Sequence, residues 1–336
     1  MLTCKQHCQG TTLAFSGSTF HVGRERETEV LRKRSKGFGS WQSGAKHTHM
    51  QRTLASSGGG NAGSTYPGQA NAEQKSDLYK EQAAAYIKWR PTYPATFLQG
   101  LAKLAPAREL LWDVGTGSGQ AAVGLAPHFD RVVATDVSPW QLAQAPRVSN
   151  VTYIVTSAEM GTEELAEVLG GLATVDLITV ASALHFFDVH KMTQQALAAL
   201  KPLGVYAPFT YNMPAFATPR LDVAMEAILV AMAGPNYRLE AAKRECNPLD
   251  GYKNMHFPFE PVEGRTETEP RLTHMRFVWR FENVVGFMES TSYAKRLAEM
   301  PTGKELLREL EAAWVAGGEE QEVVFKLWSR VGRKPK

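Results

Sequence analysis

Leu110-Leu-Trp-Asp113-Val-Gly115-Thr-Gly117-Ser-Gly119-Gln120, followed by Arg131-Val-Val-Ala-Thr135-Asp136, decides the fold of this 336-residue chain. A short apolar strand runs into three glycines at alternate positions. Ala121 to Leu125 leaves the turn with helical composition, and a second apolar strand delivers a carboxylate at Asp136. Glycines at a strand-to-helix turn permit unusual φ values and let a ligand approach the backbone. An acid at the carboxyl end of the second strand can accept hydrogen bonds from both hydroxyls of a ribose. Strand, glycine turn, helix, strand, acid: this order describes a nucleoside pocket.

The spacing separates two kinds of nucleoside ligand. A dinucleotide fingerprint reads G-x-G-x-x-G/A above a pyrophosphate. Counted from Gly115, the sixth position is Gln120; counted from Gly117, Ala122 fits but Asp113 has no role. A carboxylate just before the turn repels a pyrophosphate and attracts a cation. S-adenosylmethionine carries a sulfonium and an ammonium group and no phosphate, so the electrostatics favour it over the cofactor of an NAD(P)-linked oxidoreductase.

Five further blocks carry a family resemblance. They are YKEQAAAYIKWRPTYP at 79–94, VVATDVSPWQL at 132–142, TSAEM at 156–160, VDLITVASALHFFD at 175–188 and SYAKRLAEMPTG at 292–303. With DVGTGSGQ at 113–120, the chain resembles the class I S-adenosylmethionine-dependent methyltransferases from about Ser76 to Arg333. It is most similar to the type 11, trans-aconitate methyltransferase-like branch in its plant form. The resemblance implies a Rossmann-like α/β fold: a seven-stranded, mostly parallel sheet, helices on both faces and a C-terminal antiparallel hairpin. It implies a donor site of Asp113, Gly115, Thr116, Gly117, Gly119, Gln120, Asp136, Val137, Ser157, Ala158, Glu159 and Ala181. Relatives often carry an Asp where Ser157 stands, to receive the adenine amino group. Here the Ser157 hydroxyl, Glu159, or the backbone of Ala158 and Glu159 must do so.

For the acceptor, the resemblance places an aromatic residue or His beside the methyl group after the fourth strand. His185 is therefore the candidate catalytic residue, weighed against a purely structural role for a lone His. Tyr86, Arg90, Tyr93, Phe186 and Tyr211 are candidate substrate residues, with Arg90 able to hold a carboxylate by a two-pronged hydrogen bond. The expected reaction is methyl transfer to a small acceptor such as a carboxylic acid oxygen, with S-adenosylhomocysteine as product and no metal. The rivals are a non-catalytic S-adenosylmethionine-binding protein, the oxidoreductase, and a protein or RNA methyltransferase.

Composition narrows these. A net charge of +3 is too small to point to nucleic acid, and no basic stripe interleaved with aromatics occurs. Three cysteines give no disulfide framework and suggest a reducing compartment, so a cytoplasmic location is expected. Cys4, His7 and Cys8 lie close together, as do His47 and His49, but no second ligand pair follows either group. No run approaches the ~18 apolar residues of a membrane span. A monomer or weak dimer is expected.

Residues 1–75 are rich in Ser, Thr, Gly and Gln and contain no Asp, with linker chemistry at Ser56-Ser-Gly-Gly-Gly60. They read as a disordered extension or, from their basic residues, as a plastid or mitochondrial transit segment, a reading that Glu25, Glu27 and Glu29 weaken. The domain at 76–336 opens with Asp77 as helix N-cap, and Ala95 to Ala105 forms the next helix. Strands are expected at Val151–Thr156, Val175–Ala181 and Leu203–Thr210. Asp188 caps a helix with Val189, Met192, Ala196 and Leu200 on its stripe. An insertion at about 211–275 holds a helix at Leu221–Met232 and the loop residues Asn236, Tyr237, Tyr252 and His256. Met275, Phe277, Trp279 and Phe281 alternate with Arg276, Val278 and Arg280 as a strand. A helix at Glu305–Val315 and a strand at Val323–Val331 follow.

Overall fold

The computed structural model describes residues 83–262, 268–291 and 294–336, all within the unit Ala62–Lys336. The N-terminal extension, the Asp77 cap, Cys4, Cys8, His47 and His49 lie outside the described residues.

Helices α1 (Ala83–Trp89) and α2 (Ala95–Leu104) lead into strand β1 (Leu110–Val114). Then come α3 (Gln120–Leu125), β2 (Arg131–Asp136), α4 (Pro139–Gln144), β3 (Val151–Val155), α5 (Thr162–Leu169), β4 (Val175–Ala181), α6 (Val189–Ala199) and β5 (Leu200–Tyr211). The C-terminal part adds β6 (Ala215–Phe216), α7 (Pro219–Ala233), α8 (Tyr237–Ala242), β7 (Arg271–Arg280), α9 (Phe281–Glu289), α10 (Ala294–Glu299), α11 (Gly303–Val315), β8 (Glu320–Ser329) and β9 (Gly332–Arg333).

The sheet runs β3-β2-β1-β4-β5-β8, with β6 and β7 also paired to β8 and β9 paired to β5. The first five strands are parallel; β8 enters antiparallel to β5 and pairs along its whole length with β7. This is the Rossmann-like α/β architecture. Seven long strands form the expected set, and two-residue β6 and β9 complete the edges. The antiparallel pair β7–β8 is joined by α9, α10 and α11 rather than by a tight turn.

Side chains of the parallel strands alternate between two cores, as their period of two requires. Leu111, Val132, Leu177, Val205, Ala207 and Phe209 pack toward α2, α3, α7 and α11. Trp112, Val114, Val133, Ile178, Val180 and Tyr206 pack toward α5 and α6. Val175 and Leu177 are two residues apart yet belong to opposite cores, because the β4–β5 register shifts between them.

Several element ends move by one to three residues, and two of these shifts carry a named residue into another element. Leu200 is not on the α6 stripe: α6 ends at Ala199 and Leu200 opens β5, whose turn passes through Leu203 at φ 64. Phe281 is not on the strand: β7 stops at Arg280, whose backbone N–H donates to the Asn283 side chain as α9 begins. Both shifts come from end geometry that alternation does not encode. Within the strand, Met275 and Trp279 are buried, and Trp279 packs on Phe287 and Phe325 as core.

Candidate active site

Because the five parallel strands start in register, their carboxyl ends lie along one edge: Val114 pairs with Thr135, Asp136 with Val155, and Ala181 with Phe209. Open α/β sheets bind ligands at this edge. The candidate residues at the ends of β1 to β5 therefore share it.

Asp113 anchors the glycine turn. It is wholly buried, and its two carboxylate oxygens accept from Thr116 Oγ1 and Thr179 Oγ1, each at 2.6 Å. Such short O–H···O⁻ bonds are among the stronger ones in proteins. They tie the turn to its own strand and to β4. Burial pushes the Asp113 carboxyl up to about 6, against the pull of the two hydroxyls.

Gly115, Gly117 and Gly119 all have positive φ, but two of them do different work. A Cβ on Gly115 would lie 2.7 Å from both Ala183 Cβ and Phe187 Cζ, so this glycine is there for packing. A Cβ on Gly117 would meet nothing nearer than Gln141 Oε1 at 4.0 Å, so its side of the turn opens onto free space. Asp136 closes the turn from β2. One of its oxygens accepts from the Gly117 N–H and the other from the Ser138 N–H, both at 2.8 Å. A carboxylate has about four acceptor positions, so these bonds leave it capacity to accept from a ribose hydroxyl. Burial raises the Asp136 carboxyl above its ordinary value.

Gln141 was not a sequence candidate. It is buried, and its Oε1 has no hydrogen-bond partner among the described residues although it is the nearest atom to the open side of Gly117. A buried acceptor left unpaired is costly, and a ligand bearing N–H or O–H donors would satisfy it. Asp113, Asp136 and Gln141 make this wall anionic or accepting. It fits a sulfonium, ammonium and ribose ligand and is hostile to a pyrophosphate. Thr116 is buried within the turn, and half-buried Gln120 reaches from α3 to the Arg90 carbonyl at 3.4 Å.

Val137 and Ala181 line the same edge, each half-buried. Ser157 Oγ accepts from the Glu159 N–H at 3.0 Å and shapes the turn after β3 around Ala158. The Glu159 carboxylate is turned to solvent, where it pairs with Lys191 at 3.2 Å.

On the other side of the edge, Arg90 is held by aromatic faces and carbonyl groups. Its guanidinium lies over the rings of Tyr86 at 4.8 Å and Phe287 at 5.0 Å and donates to Tyr211 Oη at 3.5 Å and the Ser290 carbonyl at 3.2 Å. Tyr93 is buried, meets Tyr211 edge-on at 5.9 Å, and shares a 3.2 Å hydrogen bond with Ser182. Burial raises the Tyr93 phenol well above its ordinary value. Ser182 itself stands at φ 54, a strained position for a non-glycine residue directly after β4. Thus Tyr86, Arg90, Tyr93 and Tyr211 form one cluster. Trp89 belongs to the packing beneath it, lying against Gly286 of α9.

His185 stands in a second group. Its ring is half-buried, lies 4.3 Å from the Phe186 ring at a tilt of 41°, and places Nδ1 3.4 Å from Tyr252 Oη. Burial, then the charges of Arg244 and Arg90, lower its pKa to about 4, so it is neutral at pH 7. The Arg90 charge thus reaches His185 and links the two groups. Tyr252 had no assigned role in the sequence; Asp250-Gly251 before it signals a turn, but not the return of that turn to β4.

Comparison with known proteins agrees with this geometry. Residues 112–206 match a family described as a methyltransferase domain. Methyltransferase cfoB of Aspergillus candidus is 33% identical over 162 residues, covering 45% of this chain and 50% of that protein. Methyltransferase pgmE of Aspergillus terreus is 29% identical over 209 residues, covering 55% of this chain and 62% of that protein. The match therefore spans little more than half the length of these curated relatives. A solved structure described as a type II methyltransferase, from Anaeromyxobacter dehalogenans, superposes with a TM-score of 0.58 at 27% identity, covering 73% of this chain and 98% of that one. The chain carries a class I S-adenosylmethionine-dependent methyltransferase domain. In this methyltransferase domain no described helix is long and apolar enough to cross a membrane.

Proposed function

We propose that the protein transfers a methyl group from S-adenosylmethionine to the oxygen of a small carboxylic acid. The observation that carries the donor is the accepting wall around Gly117: the half-buried Asp136 carboxylate and the unpaired Gln141 Oε1 beside an open glycine, with the buried Asp113 carboxylate behind the turn. When bound, the donor supplies an electrophilic methyl group on a sulfonium, already an excellent leaving group. The chain's own residues then have to align the acceptor, and positioning of this kind can supply much of the acceleration. Asp136 orients the ribose, Gln141 takes one donor hydrogen, and Ser157 with the Ala158–Glu159 backbone meets the adenine edge. Val137, Ala181 and the turn residues close around them.

The acceptor reading rests on charge. The Arg90 guanidinium stands against Tyr211, which packs on Tyr93, and its positive charge favours an anion there. A carboxylate acceptor has no proton to lose, so no general base is needed. Tyr93, Phe186 and Tyr211 would form the remaining walls.

Two measurements test these halves. Asp136→Ala should weaken S-adenosylhomocysteine binding by roughly 1–3 kcal/mol in calorimetry; an unchanged dissociation constant in the folded variant would remove Asp136 from the donor site. Incubation with labelled donor and a metabolite extract identifies the acceptor. Against that acceptor Arg90→Lys should lose at least tenfold in kcat/KM, because lysine keeps the charge without the planar fork. Full turnover would point instead to a bulky neutral acceptor held by the 211–275 insertion.

A further inference from the structure

Arg330, just after β8, is a buried cation held by neutral groups. Its Nε donates to the Thr268 carbonyl at 2.6 Å, and its Nη1 donates to the Tyr252 and Met255 carbonyls, both at 2.8 Å. The guanidinium lies 4.5 Å from the centre of the Phe257 ring. Glu269 acts on it electrostatically, but among the described residues no carboxylate forms an ion pair with it. The backbone N–H of the same residue donates to the Pro208 carbonyl of β5 at 3.0 Å. One side chain thus ties the central sheet to residues 252, 255 and 268. Its neighbours grip the same stretch: a Cβ on Gly251 would lie 2.7 Å from Trp328 Cβ, and Glu260 and Arg333 exchange backbone hydrogen bonds at 2.9 and 2.8 Å. Burying a guanidinium without a carboxylate is costly, and only acceptors set to its planar fork offset that cost.

The stretch so held returns to the carboxyl edge of the sheet at two places. The Leu249 carbonyl accepts from Asn212 Nδ2 at 3.1 Å, directly after β5, and Tyr252 Oη lies 3.4 Å from His185 Nδ1, after β4. Tyr252 stands at φ 64, a conformation that a non-glycine residue keeps only when its surroundings fix it. Arg330 fixes it at the carbonyl, and the Asn247 carbonyl does so by accepting its N–H at 2.9 Å. None of these Arg330 partners lies on β1, β2 or β3, which carry the glycine turn, Asp136 and the Ser157 turn. We propose that Arg330 is a positioning residue for methyl transfer, clamping residues 247–260 across the ends of β4 and β5 as the roof of the acceptor side. This deepens the reading above and rests on its placing of the acceptor at His185 and Tyr211, not on the acceptor being a carboxylic acid.

Hydrogen–deuterium exchange, calorimetry and the labelled-donor assay with metabolite extract test the clamp on the full chain. Arg330→Met removes all three carbonyl contacts. Peptides covering 247–260 should exchange at least tenfold faster, while those covering β1 and β2 stay as in wild type. S-adenosylhomocysteine affinity should hold within about twofold and label transfer should fall at least tenfold. Leu310→Ala, a cavity in the core under α11, is the control for stability alone and should keep label transfer where both variants are folded. Should Arg330→Met fail to fold, Arg330→Lys, which lacks the fork, should show the same pattern at smaller amplitude. Unchanged exchange at 247–260 overturns the clamp. Faster exchange with full label transfer overturns the roof. A matching loss of donor affinity, or an equal loss of transfer in Leu310→Ala, reduces Arg330 to a general stabiliser and overturns its positioning role. Wild-type protein that labels nothing in the extract defeats the methyl-transfer reading itself, and the role in transfer with it.

Discussion

The proposed donor side and the proposed acceptor side of the sheet edge are built by opposite means. The turn at Asp113–Gln120 is closed by the Asp136 carboxylate, whose bonds reach 19 residues back to Gly117 and two forward to Ser138. The Arg90 guanidinium is fixed by partners 121 and 200 residues away, and His185 by one 67 residues away. Apart from the Thr179 bond to Asp113, which reaches 66 residues to β4, short-range bonds make the first, and long connections folding back make the second. A site of this kind can change its acceptor by exchanging the connections after β5 without disturbing the donor turn.

The largest test of this division contrasts two glycines two residues apart in one turn. Gly115→Val places a Cβ 2.7 Å from Ala183 and Phe187 at φ 64, and should cost several kcal/mol or abolish folding. Gly117→Ala adds a Cβ into open space at φ 57, so the folded state bears only the left-handed backbone strain, about 1–2 kcal/mol. Its Cβ occupies the side on which the donor would lie, so S-adenosylhomocysteine affinity should fall at least tenfold with a modest change in melting temperature. Should Gly117→Ala bind as wild type does, the donor does not use that side of the turn.

The same division explains what could be read from residues alone. The parallel strands, the glycine turn, Asp136 at the end of β2 and the Asp188 cap on α6 were legible because each rests on a short signal: an apolar run, a missing Cβ, a side chain bonding its own turn. Gln141 and Tyr252 were not assigned roles. Gln141 matters only because its oxygen is left unpaired beside Gly117, and Tyr252 only because a loop from the insertion returns to His185. Neither fact has a periodic or motif signature. Phe281 was misplaced for a related reason, since its alternation continues β7 while the Arg280–Asn283 cap has already begun a helix.

A second test asks what holds the donor turn when the ligand is absent. Folding raises the Asp113 carboxyl from 3.8 to about 6. Between these values the folded chain keeps a proton that the unfolded chain has released. Stability therefore falls as pH rises through this window, by up to about 3 kcal/mol, and stays low above it. Asp113→Asn should flatten that slope in urea denaturation, and be the more stable protein above pH 6. It should also bind the cationic donor less tightly there. A parallel pH profile for wild type and variant would show that Asp113 is solvated and does not anchor the turn.

The smallest expected effect marks where the donor side stops. Ser157 Oγ shapes the turn after β3 by accepting the Glu159 N–H, whereas the Glu159 side chain points outward to Lys191. An exposed ion pair of this kind contributes about 0–1 kcal/mol. Glu159→Gln should therefore leave the melting temperature nearly unchanged and shift S-adenosylhomocysteine affinity by less than about twofold, since the backbone at Ala158 and Glu159 is untouched. A loss of tenfold in calorimetry would mean that the carboxylate leaves Lys191 to accept the adenine amino group. The adenine contact would then be a side-chain one rather than a backbone one, and this part of the donor site would depend on α6, which carries Lys191, as well as on its own turn.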